Sequence, residues 1–149
     1  MRTSVCIICL SSFVTVTAGC DLFGPASSLS HAAATWGCGP AGGSTVVILL
    51  SHDPIGSAPP SAPYVSVQIW QPTYPLAAHT WSVGTNNPAS AMYVPWPGTT
   101  QWASSGSITI TSVDSTKTVE GVLDLQFPSR MVATQFKAPW IASSGGYCN

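Results

Sequence analysis

The chain of 149 residues carries four basic and five acidic side chains, for a formal net charge of −1. Only 6% of it is charged, against about 25% in typical soluble domains. That excludes the basic footprint of a nucleic-acid binder or of a protein held to anionic lipid by charge. The surface is dressed instead in Ser, Thr, Gly, Pro, Asn and Gln, which suits an extracytoplasmic protein.

Met1-Arg2 opens onto an apolar run, Val5-Cys6-Ile7-Ile8-Cys9-Leu10 and on to Val16, closed by Thr17-Ala18-Gly19-Cys20. The apolar part is too short to span a bilayer, and small residues follow it directly. Residues 1–19 are therefore expected to be a secretory signal peptide. A cysteine just after Ala-Gly resembles the lipobox of bacterial lipoproteins, with Thr17 where Leu or Val is usual. The resemblance implies cleavage before Cys20, a lipid on Cys20, and membrane attachment in the bacterial cell envelope, facing the periplasm or the cell surface. A plain signal-peptidase cut would instead leave a freely secreted domain.

Residues 20–43 are small and polar, rich in Ser, Ala, Gly and Pro, and read as the lipidated N-terminus and a tether. An Ala-rich helical turn fits 32–35, stopped by the glycines and Pro40 that follow. With Cys6 and Cys9 lost in the signal and Cys20 lipidated, Cys38 and Cys148 are left as an even pair in an oxidising compartment. They are expected to form a disulfide. A loop of that length stabilises by roughly 4–5 kcal/mol in the chain-entropy model. Two free thiols are the alternative. A zinc site with His31, His52 or His79 lacks metal-finger spacing, and no cofactor motif occurs.

From residue 44 to 149 the pattern is that of strands. Residues 45–50 form a continuous β-branched and aliphatic run, the mark of a buried strand. Five prolines or glycines make 51–63 a loop. Residues 64–70 alternate, Val65, Val67 and Ile69 against Tyr64, Ser66, Gln68 and Trp70. Short strands follow at 80–83 and 91–94, separated by the turn cluster Gly84-Thr85-Asn86-Asn87-Pro88. Longer ones follow at 107–113, 118–127 and 130–138, with Val122 out of phase. No segment keeps a 3.6-residue period. Seven strands punctuated by turns predict an all-β domain, a single antiparallel β-sandwich or barrel.

The last forty residues carry a second resemblance. Gly106-Ser-Ile-Thr-Ile-Thr-Ser-Val-Asp114, Val119-Glu-Gly-Val-Leu-Asp-Leu-Gln-Phe127 and Met131-Val-Ala-Thr-Gln-Phe-Lys-Ala-Pro-Trp140 are similar to the C-terminal meander of small bacterial lipoproteins of unknown function. The chain departs from that pattern at Thr134, at the turn Pro128-Ser129-Arg130, and at Ile141, where a cysteine is familiar. The matching residues are structural and imply no enzymatic site.

Few residues suggest chemistry. A Ser-His-Asp site would need His31, His52 or His79 near an acid and a nucleophile; His52 and Asp53 are adjacent, but neighbours on an extended chain point apart, no G-x-S-x-G elbow occurs, and a turn after the strand explains the pair. Glu120 and Asp124 share a strand face about 13 Å apart, too far for a glycosidase pair. No calcium loop occurs. The six tryptophans are the better lead, since exposed aromatic platforms on β-domains grip sugars. Trp96 and Trp102 lie in loop-like sequence, and Tyr64 and Trp70 share a mixed aromatic and polar face. These four are the candidate binding residues. Trp81 and Trp140 read as core or edge filling. The expectation is a non-enzymatic binding or structural protein. Its partners would be the membrane, through the lipid, and a glycan or envelope protein. The alternatives are a glycan-binding module in the strict sense or a small secreted hydrolase.

Overall fold

A computed structural model describes residues 29–39, 43–56, 59–70, 72 and 75–142. The expected signal peptide, Cys20 and Cys148 lie outside the described residues. Nine strands form one sheet: β1 (His31–Cys38), β2 (Ser44–Ser51), β3 (Tyr64–Trp70), β4 (His79–Val83), β5 (Ala89–Val94), β6 (Gln101–Trp102), β7 (Ser105–Asp114), β8 (Thr118–Gln126) and β9 (Met131–Pro139). Their order is β1-β2-β3-β5-β4-β7-β8-β9, with β6 pairing β5 off this path. The two ends of that order meet. Trp140 forms a parallel bridge to Ala34, and the Ile141 N–H donates to the Ala34 carbonyl at 2.8 Å. The result is an all-β, nearly closed barrel.

The core follows from alternation. Val46, Ile48 and Leu50 of β2 face Val65, Val67 and Ile69 of β3 across a regular antiparallel ladder, and all six are fully buried. Ile108, Leu123, Leu125 and Phe127 fill the other side. Each such side chain contributes about 1.5–3 kcal/mol by leaving water. On β2 the opposite face is buried as well, at Thr45, Leu49 and Ser51, which is why its sequence runs apolar without a break.

Three features differ from expectation. First, His31–Cys38 is a strand paired along its whole length with β2, so the stretch read as tether ends earlier and the β-domain begins before residue 44. The Ala-rich turn at 32–35 is extended, not helical. Ala33 and Ala34 are buried there, and their small side chains let the backbone pack closely. Second, the sheet is not wholly antiparallel, for β4 and β5, on either side of the 84–88 turn, run parallel where they meet. The two share one parallel bridge, Val83 to Ala89. β4 pairs instead with β7 and β5 with β3. Third, the short strand β6 adds to β5, pairing Met92 with Trp102 and Tyr93 with Gln101.

Val122 is out of phase because Gly121 takes the inward position. A Cβ at Gly121 would collide with the Thr109 carbonyl and stand 2.7 Å from the Phe136 ring. Beside it β7 has a register shift between Ile110 and Ser112, and Val122 turns outward, 40% exposed.

Candidate functional site

The expected aromatic surface is only partly assembled. Tyr64 and Trp70 stand at opposite ends of β3, about 20 Å apart at the rise of an extended strand. Trp70 is half-buried, lies opposite Thr45, and its ring covers Gly39, where a Cβ would stand 3.2 Å from it. Trp70 therefore packs against the backbone at the far end of the barrel. Tyr64, Trp96 and Trp102 share the other end. Tyr64 is opposite Val94, which leads through Pro95 into the hairpin tip where Trp96 sits. Trp102 is opposite Met92, which is itself opposite Ser66. The tip is tightened by the Thr99 N–H donating to the Trp96 carbonyl at 3.2 Å, and Gly98 takes φ +82° there. Trp96 is 61% exposed and Trp102 59%.

The other tryptophans are used inside the fold. Trp81 is buried, with the His79 ring edge-on at 4.7 Å. Trp36 and Trp140 stack at 5.6 Å with nearly parallel planes, and Trp140 Nε1–H donates to the Asp114 carbonyl at 3.2 Å.

Against expectation, His52 and Asp53 do touch. The chain bends after β2, and His52 Nδ1 lies 3.1 Å from Asp53 Oδ1, both side chains more than half exposed. Ser51 is not available to them as a nucleophile. It is buried, and its Oγ accepts from the Asp53 N–H at 3.3 Å and donates to loop carbonyls. No group of three potential metal ligands occurs among the described residues. Glu120 faces Lys137 at 2.6 Å on the outer surface. That contact holds the Glu120 carboxyl below its ordinary range and the lysine above its own.

A polar network next to the aromatic end was not visible in the sequence. The turn between β8 and β9 is closed by reciprocal backbone bonds of Phe127 and Arg130. It carries the Arg130 guanidinium over the Tyr93 ring, 4.9 Å from its centroid, with Nη1–H donating to the Tyr93 hydroxyl at 3.1 Å. Arg130 Nε is buried with no hydrogen-bond partner. Ser129 Oγ–H donates to Gln101 Oε1 at 2.6 Å, and Gln101 pairs with Tyr93 across β5 and β6. Beneath them Tyr93 packs on Phe127, centroids 5.8 Å apart. Among the described residues the two ion pairs are His52–Asp53 and Lys137–Glu120, so Arg130 has no acidic partner there. The one available signal was compositional: Arg130 is the only arginine after Arg2.

Comparison with protein-family models, with curated proteins and with solved structures gives no match.

Proposed function

We propose that this chain is an extracytoplasmic binding module, anchored in the cell envelope through Cys20, that grips a glycan with Trp96 and Trp102. The observation that carries the reading is the exposure of those two rings at one end of a barrel that uses Trp36, Trp81 and Trp140 for packing. Leaving a large apolar side chain in water forgoes about 1.5–3 kcal/mol. Two such side chains on one hairpin support a contact surface there. Prolines on both sides of Trp96 stiffen the tip, so little order is lost on binding.

The expected Cys38–Cys148 disulfide belongs to the same reading. At the Ala34–Trp140 bridge the chain runs parallel to β1, four residues short of Cys38. The sequence after Trp140 thus sets out toward Cys38. A hydrolase is less well supported, because the His52–Asp53 pair stands beside a serine whose hydroxyl is buried and already bonded.

The test is a glycan array followed by titration of intrinsic tryptophan fluorescence. The Trp96→Ala/Trp102→Ala variant should fold normally, since both rings are exposed. It should lose at least tenfold in affinity, the loss typical of a tryptophan contact. Unchanged binding by the variant would overturn the assignment.

A further inference from the structure

We propose that Arg130, Tyr93 and Gln101 form an anion-accepting subsite at the tryptophan end of the barrel, and that the glycan bound there bears a carboxylate. The inference rests on the tryptophan reading above and adds the charge of the ligand to it.

The direction of the hydrogen bonds carries the argument. Tyr93 Oη accepts from Arg130 Nη1, which leaves the Tyr93 O–H free to donate. Gln101 Oε1 accepts from Ser129, which leaves the Gln101 amide N–H groups free to donate. The guanidinium has only donors to offer. Each of these three adjacent side chains thus has a donor to spare, and a ligand that brings acceptors can meet all three. The charge points the same way. Arg130 is half-buried and its Nε is sealed and unpartnered, yet no carboxylate among the described residues faces it. Buried charges are normally paired. A planar guanidinium matches a carboxylate in a two-pronged geometry.

Placement puts this subsite at the same end of the barrel as the tryptophans. Gln101 and Tyr93 share one face of hairpin β5–β6, while Trp102 and Met92 share the other, and the hairpin tip between them carries Trp96. A sugar chain passing over that tip would stack on Trp96 and present a carboxylate at the Phe127–Arg130 turn.

The experiment uses the mature chain on an array of matched neutral and carboxylate-bearing oligosaccharides, followed by calorimetry on the best hit. Binding is expected to be confined to acidic members and to weaken at least tenfold between about 50 and 500 mM salt, as a charge contact should. Arg130→Gln should lose at least tenfold for the acidic glycan and bring it level with its methyl ester. Arg130→Lys, which keeps the charge but not the fork, should recover part of that loss and guards against a merely structural effect. Thermal unfolding of both variants checks that they are folded. Neutral glycans bound as well as acidic ones, or an Arg130→Gln variant with unchanged preference, would overturn the subsite and leave the tryptophan reading standing. Loss through Trp96 and Trp102 with no effect of Arg130 has the same meaning. No glycan bound at all would overturn both.

Discussion

Gly121 shows how one residue can fix a local pattern. It sits inward on β8 between the Thr109 carbonyl and the Phe136 ring, with no space for a Cβ. The neighbouring register shift in β7 and the outward turn of Val122 surround it. Gly121→Ala must push backbone as well as an aromatic ring, so it is expected to destabilise by about 3 kcal/mol, the upper end for overpacking. The urea midpoint of the variant measures it. A midpoint equal to wild type would mean that the strand yields at no cost. Gly106 stands under the same constraint for a second reason. Its φ is +142°, and a Cβ there would strike the Asp124 carbonyl.

Among the elements, the seam between β1 and the end of β9 is held by a single bridge among the described residues, and it depends on Trp140. That ring stacks on Trp36 and its N–H caps the Asp114 carbonyl. Trp140→Ala removes an aromatic pair and a hydrogen bond, together about 2 kcal/mol. Amide exchange should then quicken at Ile141, whose N–H crosses the seam, more than in β7 and β8. Uniform quickening would show instead that the seam opens only with global unfolding. The strands themselves were largely legible in the sequence. Tyr64–Trp70 was read to its end residues because strict alternation leaves one register that buries Val65, Val67 and Ile69. β1 was not legible, since Ala-Ala-Ala carries neither alternation nor β-branching and becomes a strand only by pairing with β2. Nor could the pairing of β4 with β7 be read, because a turn cluster states where the chain bends and not which strand lies beside it. For the site, exposure of Trp96 and Trp102 followed from the proline-rich tip. The setting of Arg130 did not, because it is made by Tyr93, 37 residues away.

At the scale of the whole molecule, so few charges mean that the response to pH rests on a handful of groups. The Thr116 hydroxyl, and then its N–H, hold the Asp114 carboxyl below its ordinary 3.8. Lys137 holds Glu120 below 4.5, and Glu120 holds Lys137 above 10.5. For the two carboxylates the folded value is the lower one. Their contribution is therefore present above the ordinary values and lost as pH falls through the folded ones. For Lys137 the sign is reversed, and its contribution is lost only as pH rises past 10.5. The Tm difference between wild type and Asp114→Asn/Glu120→Gln is expected to be constant between about pH 5 and 9 and to shrink below about pH 4. A difference that grows on acidification would refute the assignment. All three groups lie at the surface, so added salt should reduce the part due to Glu120 and Lys137.

The parallel bridge of Ala34 to Trp140 also sets a compass. Strands β1 and β9 run the same way, so the entry to β1 at Leu29, the Trp96 tip and the turn bearing Arg130 gather at one pole of the barrel, and Trp140, at the end of β9, lies away from it. On the proposed anchoring through Cys20, the pole that carries Trp96 and Trp102, where the chain enters β1, would face the surface that holds the protein. The natural ligand of such a domain would belong to that surface or to the narrow layer above it, and what arrives from outside would meet the opposite pole.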